Sequence, residues 1–587
     1  MTRTMQGLLV AGLLALALVG LAMWHLQPSA QPPGDWRDPA TCRRCHAKQY
    51  ADWEATNHAE ANREVRADRD ATAFLAAPPT LTIGLEASYL GVLQADDKRR
   101  HLQLAIGREP LVQYAFAQDG GRWEVMPLAF HLATQSWFNV FGADASQAAS
   151  LNWNSQCAYC HMTALHKRYD AQKDTYQTTW DRHGVGCNAC HRDMQNHVER
   201  ATGMPPAKRA RTVAEPPPAQ TLHTCAACHM RREELTAEAF QPGDRIDDHF
   251  LPELPDRPDI YFADGQVRDE VFEAGSFLLS RMGGHGGVQC IDCHEPHSLQ
   301  LRAPLVRNQL CLTCHATGVR GARLIPDPPA HSHHAPESAG NQCESCHMPV
   351  TQFMQRDPRR DHGFTTPDPL LTIEVGIPNA CNRCHTDRDA SWAQTAAAKW
   401  YGDRLETRQR RRARAVATAS TARDELLALL ESEDVVGWQA ALTGLLGAWA
   451  TEPRVTDRLR VQLRTEAPLV RAAAVRALAE HPRRQEFLRT SLQDPSRLVR
   501  VLSGFALRDE IAHDRNLASP ELRREVTAWL DQNADSALGA LRRAEWALLD
   551  GDRPAVVLHV QHAVRLAPND PQVSAEARAL LHAIRQK

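Results

Sequence analysis

The chain has 587 residues, including 16 cysteines and 28 histidines, a length that predicts several domains. Its formal net charge of -3 gives none of the basic surplus that nucleic-acid-binding proteins carry, so we expect no nucleic-acid partner. Aromatic residues make up only 6% of the chain. We therefore expect something other than aromatic side chains to fill part of the interior.

Residues 1–30 have the composition of a targeting segment. Arg3 precedes an apolar run from about Gly7 to Trp24, and a proline-rich polar stretch follows. This pattern predicts either a cleaved export signal or a single uncleaved membrane anchor. In both cases the bulk of the protein lies outside the cytoplasmic membrane, in the periplasm or at the outer membrane face.

The pattern C-x-x-C-H occurs eight times between residues 31 and 400 and uses every cysteine. The motif cysteines are Cys42, Cys45, Cys157, Cys160, Cys187, Cys190, Cys225, Cys228, Cys290, Cys293, Cys311, Cys314, Cys343, Cys346, Cys381 and Cys384. The motif histidines are His46, His161, His191, His229, His294, His315, His347 and His385. Two thiols one helical turn apart form thioethers with a haem, and the adjacent histidine then binds the iron.

Zinc binding and redox disulfides are the alternatives to haem. Zinc ribbons need no histidine directly after every cysteine pair, and a thioredoxin-like motif occurs once, in a βαβ unit. Eight copies that leave no cysteine over favour eight covalently bound haem c groups, each with an iron. Those macrocycles then serve as the core of residues 31–400, with little regular structure beyond short helices around each motif.

Residues 72–150 carry no motif and interrupt this domain. They contain alternating apolar and polar stretches such as "LTIGLEASYLGVL" and "LVQYAFAQDGGRWEVMPLAF", with glycine at the breaks. Alternation of period two is typical of half-buried strands, so we predict a small β-rich insert.

Many more histidines occur in the haem domain than the motifs need. Fourteen lie between residues 31 and 400 beyond the eight motif histidines, which is enough to give every iron a second histidine. Both His333 and His334 precede the seventh motif in "HSHH". The candidates for the second iron ligand are His58, His183, His197, His285, His297, His334 and His362. For each, the alternative is a surface or hydrogen-bonding histidine.

The composition changes after about residue 400: cysteine is absent, and alanine, leucine and arginine dominate. "LVRAAAVRAL" at Leu469 and "LVRVLSGFAL" at Leu498 repeat each other, and "AALTGL" at Ala440 aligns with the first. The period predicts HEAT-like helical repeats over 401–530, and 531–587 is similar to one tetratricopeptide (TPR) unit. Such a solenoid offers a docking surface for proteins, although it could instead only cap the haem domain.

A strongly basic stretch, "RLETRQRRRARA", runs from Arg404 to Ala415 at the boundary between these regions. We interpret it as a solvated helix face. An electrostatic contact with an acidic partner is the alternative.

Several stretches resemble the exported multihaem cytochromes of the cytochrome c-554 type fused to HEAT or tetratricopeptide repeats. They include "WEATNHAEA", "NSQCAYCHMTALHKRYD", "GVQCIDCHEPHS", "RRDHGFTTPDP" and "GIPNACNRCHTDRDASWA". The resemblance implies stacked, mostly bis-histidine haems and supports His58, His197, His285, His297, His334 and His362 as ligands. After the Cys187 motif the family tends to have Gly-Pro-Gly where this chain has "RDMQ".

The predicted fold is mainly α: a multihaem cytochrome c domain with a β-rich insert, followed by an α-solenoid. The predicted function is electron transfer between redox partners, namely a membrane quinol-linked donor, another cytochrome or a reductase. No catalytic side chain is indicated, since an iron with two histidines has no open position. The alternative is an octahaem oxidoreductase for nitrite or hydroxylamine at one open haem, for which the isolated Cys42 motif is the candidate. A haem-based sensor needs far fewer haems.

Overall fold

The structure is a computed structural model that describes residues 35–77, 82–86, 89–95, 98–142, 151–203, 218–269, 272–285 and 287–586. Its fold is mainly α-helical with small antiparallel sheets and a long C-terminal helical region, as predicted. Within these residues no helix is both long and apolar enough to cross a membrane. The predicted export signal or anchor at 1–30 lies outside the described residues.

The insert forms the largest sheet of the described chain. Its strand order is β1-β5-β6-β7-β8 with β9 beside β7, and β2-β3-β4 form a separate sheet. All pairs are antiparallel, so the β-rich character predicted for this region is correct. The strands are β1 Asn62–Glu64, β2 Thr82–Glu86, β3 Tyr89–Ala95, β4 Lys98–His101, β5 Leu104–Ile106, β6 Leu111–Ala117, β7 Trp123–His131, β8 Ser136–Asn139 and β9 Leu151–Asn152.

The rest of the motif-bearing region consists mostly of short elements. The strands are β10 Met162–Thr163, β11 Tyr169–Asp170, β12 Thr175–Tyr176, β13 Arg182–His183, β14 Arg232–Glu234, β15 Phe250–Pro252, β16 Val350–Phe353 and β17 Asp357–Arg360. The helices are α1 Pro39–Arg43, α2 Ala47–Glu54, α3 Ala67–Leu75, α4 Trp153–Gln156, α5 Ala158–His161, α6 Met194–Gly203, α7 Pro218–His229, α8 Glu273–Leu279, α9 Arg281–Gly284, α10 Cys290–Cys293, α11 Gln309–His315, α12 Pro328–Ser332, α13 Cys343–His347, α14 Pro369–Val375, α15 Ala380–Cys384 and α16 Ala390–Tyr401.

Helices alone make up the C-terminal region. They are α17 Arg408–Ala417, α18 Arg423–Ser432, α19 Val436–Leu445, α20 Pro453–Gln462, α21 Pro468–Leu478, α22 Arg484–Leu488, α23 Arg497–Ala506, α24 Arg508–His513, α25 Pro520–Asn533, α26 Ala537–Leu549, α27 Arg553–Leu566 and α28 Pro571–Gln586. The three related sequence stretches fall on α19, α21 and α23, which pack on one another in succession, and α25 follows α23. Their buried leucines, such as Leu442 and Leu478, form the core of this stack. Membership of the HEAT and TPR classes stays a prediction.

The C-terminal helices pack directly on the motif-bearing region. Trp438 of α19 is 1% exposed, and its Nε1 donates to the carbonyl of Leu279 at 3.0 Å. Its ring also packs against Gly265, where a Cβ would lie 2.8 Å from the indole. A side chain at position 265 would therefore separate the two regions.

Candidate haem sites

Each C-x-x-C-H motif folds into a helical turn. The backbone N–H of His46 donates to the carbonyl of Cys42 at 2.8 Å, and His294 does the same to Cys290 at 2.9 Å. One such turn places both thiols on the same side, as thioether formation requires. All 16 cysteines lie in the described residues, and none forms a disulfide.

Six motif histidines have a second imidazole facing them at a narrow range of spacing. The ring centroids lie 6.1–6.4 Å apart. An imidazole nitrogen lies about 2 Å from a metal that it binds, and the ring centroid lies roughly 1 Å further, so one iron between two imidazoles separates the centroids by about 6 Å. The pairs are His46 with His197, His229 with His58, His191 with His297, His294 with His362, His347 with His331 and His385 with His334. The residues present therefore fit six bis-histidine irons.

The "HSHH" stretch shows what the sequence could not resolve. His331 faces His347 at 6.2 Å with nearly parallel rings, although the sequence did not single it out. His334 faces His385 at 6.3 Å. The ring of His333 stacks on Trp400 at 4.7 Å instead. The three-residue spacing of His331 and His334 was the signal available, since it lets one turn of chain serve two motifs.

Two sequence candidates do not face a motif histidine. The ring of His183 packs edge-on against Trp180 at 5.6 Å, and its buried Nδ1 has no hydrogen-bond partner. Burial lowers the pKa of His183. His285 is exposed at the C-terminal end of α9. Neither one therefore contributes to the six pairs.

Two motif histidines, His161 and His315, have no imidazole opposite them within the described part of the chain. The Nδ1 atom of His161 hydrogen-bonds to the carbonyl of Ala61 at 2.7 Å, and that of His315 to the carbonyl of Arg323 at 2.8 Å. Such bonds fix the tautomer and leave Nε2 for a metal. The sequence made the Cys42 motif the candidate for an open haem, if one exists. In the structure His197 lies opposite His46, which does not favour an open position at this motif.

Carboxylates hold two of the facing histidines. The Nδ1 atom of His229 hydrogen-bonds to Oε2 of Glu273 at 3.1 Å, and that of His297 to Oε1 of Glu295 at 3.1 Å. Burial alone would raise the pKa of Glu273, but the hydrogen bond from His229 and the charges of His229 and Arg359 together outweigh it and lower this pKa to about 2. Both carboxylates thus orient an imidazole and increase its basicity towards a metal.

Neighbouring motifs lie close enough for their thiols to interact. The interacting pairs are Cys42 with Cys187, Cys160 with Cys228, Cys225 with Cys290 and Cys311 with Cys343. Thioethers replace these thiols when haem is attached, so the contacts record which motifs are adjacent. In addition, Cys293 interacts electrostatically with Cys311, and Cys346 with Cys381. The fourth to eighth motifs therefore form an unbroken series.

The comparisons with known proteins match the motif-bearing segments. Residues 41–79 and 131–192 match the family model "Cytochrome c554 and c-prime", and residues 285–320 match "Doubled CXXCH motif". These segments point to a c-type multihaem cytochrome, with covalently bound haem c as the cofactor that they imply. The chain is also similar to a solved structure, "Crystal Structure of Outer Cell Wall Cytochrome OcwA", with 16% identity and a TM-score of 0.45 over 75% of this chain and 98% of that chain. No curated protein matches the chain.

Proposed function

We propose that the chain is an octahaem c-type cytochrome that transfers electrons between redox partners outside the cytoplasmic membrane. The observation that supports this most is the set of six facing histidine pairs. When bound, each haem supplies an iron that gains and loses a single electron. Two imidazoles on one iron leave no position for a substrate, which suits transfer and not catalysis.

The proposed ligand set extends the six pairs with His285 as the partner of His315. Arg320, which follows the His315 motif, donates to both carboxylate oxygens of Asp292 at 2.6 and 2.9 Å. The same guanidinium donates to the carbonyl of Gly287 at 3.3 Å. The chain just after His285 is thereby held beside the turn that follows His315. His183 is left out of the set, since it does not face a motif histidine in the described part of the chain and its ring packs against Trp180 instead.

Adjacency of the motifs supports a route for electrons. The first motif contacts the third, and Cys190 of the third interacts electrostatically with Cys225 of the fourth. From the fourth motif the series continues to the eighth, while Cys160 of the second motif contacts Cys228 of the fourth. The route therefore has ends at the Cys42 and Cys381 motifs and a side branch at the Cys157 motif.

We place the protein in the periplasm or at the outer face of the cytoplasmic membrane, on the strength of the apolar segment at 1–30. Its partners are a membrane quinol-linked donor and another cytochrome or a reductase. The C-terminal helices provide a docking surface on the side away from the motif-bearing region. The opposite side is already occupied by contacts such as those of Trp438 with Leu279.

Haem counting and electron paramagnetic resonance (EPR) test this function. Pyridine haemochrome analysis of the purified protein should give eight haems per chain, and a count of six or fewer would contradict occupation of every motif. The oxidised protein should show low-spin signals for at least six irons. His285→Met should change the signals of one iron and leave the haem count intact, while unchanged signals would remove His285 from the ligand set.

An oxidoreductase acting on nitrite or hydroxylamine is the second candidate, and the open side of His161 favours it. No imidazole of the described residues lies opposite this histidine, and its own Nδ1 is bound to Ala61. A single high-spin EPR signal that changes to low spin when nitrite or hydroxylamine is added would support catalysis at this iron. A high-spin signal that neither compound alters, or none at all, would leave electron transfer as the function.

A further inference from the structure

Arg232 of β14 lies where two haem motifs meet. Its guanidinium carbon lies 4.3 Å from the ring centroid of Tyr159, which belongs to the Cys157 motif. Its Nε donates to the carbonyl of Ala227, inside the Cys225 motif, at 2.8 Å. One cationic side chain therefore contacts the residues between the cysteines of both motifs.

These two motifs are also in direct contact with each other. The Sγ atom of Cys160 lies 3.5 Å from the carbonyl oxygen of Cys228. Their helices, α5 and α7, pack together. The cation is consequently close to both haem-attachment sites at the point where the proposed electron route branches.

The charge on Arg232 is buried and only partly offset. Its side chain is 8% exposed, and the ring of Phe250 covers the guanidinium carbon at 3.8 Å. Nη1 lies 3.9 Å from Oε1 of Glu234, a long distance for an ion pair, and Nη2 is buried without a hydrogen-bond partner. Buried donors without partners are rare, and a charged one is costly to the fold. Some gain must accompany its retention at this place.

The C-terminal helices hold the nearest carboxylate away from full pairing. The Oε2 atom of Glu234 accepts a hydrogen bond from Gln532, and its main-chain carbonyl accepts one from Asn533 at 2.7 Å. Glu233 forms a two-bond ion pair with Arg542 at 2.9 and 3.0 Å. The two acidic residues of β14 therefore bind side chains of the C-terminal helices, whereas Arg232 of the same strand contacts the two motifs.

We propose that Arg232 is a positioning residue that raises the reduction potentials of the two haems attached at the Cys157 and Cys225 motifs, an inference that rests on the proposed electron-transfer function. Reduction adds one negative charge to each haem, and a fixed cation in a poorly screened interior stabilises that charge. These two haems, at the branch of the route, are therefore the ones that electrons occupy preferentially.

Potentiometric titration of the haem-loaded protein, followed by absorbance and EPR, tests this inference. In Arg232→Met, which removes the charge and leaves an unbranched apolar side chain beside Tyr159, we expect two haems to titrate at lower potential and the others to stay unchanged. Arg232→Lys restores the charge and should restore both potentials. Arg460→Met is the matched control, because Arg460 also lies over an aromatic ring, that of Phe487 at 5.1 Å, but in the C-terminal helices.

Three results would overturn the inference: unchanged potentials in Arg232→Met, a shift of every haem together, or an equal shift in Arg232→Lys. If Arg232→Met loses haem, Arg232→Lys is compared with the unaltered protein instead. We expect the Lys variant to keep all its haems and the same two reduction potentials. Shifted potentials in that variant would contradict the inference. Haemochrome analysis and EPR of the unaltered protein come first. These two measurements test the proposed function by itself, so its failure would be seen before any reduction potential is compared.

Discussion

Lys167 and Asp535 form an ion pair at 3.1 Å that is almost fully buried, with side chains only 5% and 4% exposed. Lys167 follows the Cys157 motif, whereas Asp535 lies between α25 and α26 of the C-terminal region. Asp535 also accepts a hydrogen bond from the hydroxyl of Tyr176 at 3.2 Å, and Lys167 donates to the carbonyl of Gln532. This buried ion pair therefore joins the motif-bearing region to the C-terminal helices, and both of its side chains form further hydrogen bonds.

Lys167→Met should destabilise the protein, because it leaves Asp535 charged and buried without its cation. Removing one partner of a buried pair costs about 3–5 kcal/mol. Thermal unfolding followed by far-UV circular dichroism measures the loss. The double variant Lys167→Met with Asp535→Asn should lose less than the sum of the two single variants.

Lys173→Met is the control for this pair. Lys173 binds Asp170 at 2.8 Å, but its side chain is 74% exposed. Exposed pairs contribute little to stability, because water and salt screen the two charges. An equal effect of the two lysine substitutions would show that the buried pair does not join the regions.

His331→Ala should convert one low-spin iron into a high-spin iron. The imidazole of His331 is the one that faces His347, so its removal opens that side. The haem count should stay the same, since the thioethers of Cys343 and Cys346 are untouched. EPR of the oxidised protein and haemochrome analysis measure the two quantities.

His333→Ala is the matched control, two residues away. Its ring stacks on Trp400 and faces no motif histidine. We expect all low-spin signals to persist in this variant. A high-spin signal in His333→Ala, with none in His331→Ala, would reverse the assignment within this stretch.

Glu273→Gln should raise the reduction potential of the haem attached at the Cys225 motif. Glu273 accepts a hydrogen bond from His229 at 3.1 Å, and its negative charge makes the imidazole a stronger donor to iron, which favours the oxidised form. A potentiometric titration should show one haem shifted upwards and an unchanged haem count. Potentials identical to those of the unaltered protein would mean that the carboxylate only orients the ring.

The C-terminal helices should lose stability in mild acid through His559, which is 1% exposed. Burial, together with the charge of Arg543, lowers the pKa of His559 to about 4, whereas a histidine in an unfolded chain has a pKa of about 6.5. Between these values the unfolded chain binds a proton that the folded helix does not, so the free energy of unfolding falls as the pH falls. The loss should reach about 2 kcal/mol at pH 5.

Circular dichroism of thermal unfolding between pH 7.5 and 5 measures this slope. His559→Leu should flatten it, because leucine takes up no proton in the unfolded chain. The substitution should be tolerated, since the buried Nε2 has no hydrogen-bond partner to lose. His513→Ala, at an exposed histidine of α24, should leave the slope as it is. Equal slopes in all three proteins would place the acid sensitivity elsewhere.

Much of the candidate site could be predicted from sequence, but the pairing of ligands could not. The haem motifs are local patterns, and five of the seven candidates for second ligand do face a motif histidine. Which motif each one faces depends on contacts between distant segments: His58, near the first motif, faces His229 of the fourth. The same is true of His183, because the packing of β13 turns its ring towards Trp180, and this packing cannot be inferred from the local sequence.

The basic stretch at the boundary was predicted from its charge to be a solvated helix face, and this prediction is wrong for two of its arginines. Arg410 is buried and forms two hydrogen bonds with Asp368, both at 2.7 Å. Arg412 is buried against Glu433 at 2.9 Å. Both carboxylates lie outside the basic stretch, so its neutralisation depends on tertiary contacts. The helical character of the C-terminal region was easier to foresee, because the related stretches at Ala440, Leu469 and Leu498 lie on successive packed helices.

The facing histidine pairs also bear on how the protein is assembled. His46 is synthesised long before the histidine that faces it, His197, whereas His229 is synthesised long after the histidine that faces it, His58. A haem attached at the Cys42 motif would therefore lack its second imidazole until a later part of the chain is made, and one attached at the Cys225 motif would not. An iron held by such a pair would tie two remote segments together, as a disulfide does. The metal would thus complete the folding of this region, in an order set by the positions of the histidines.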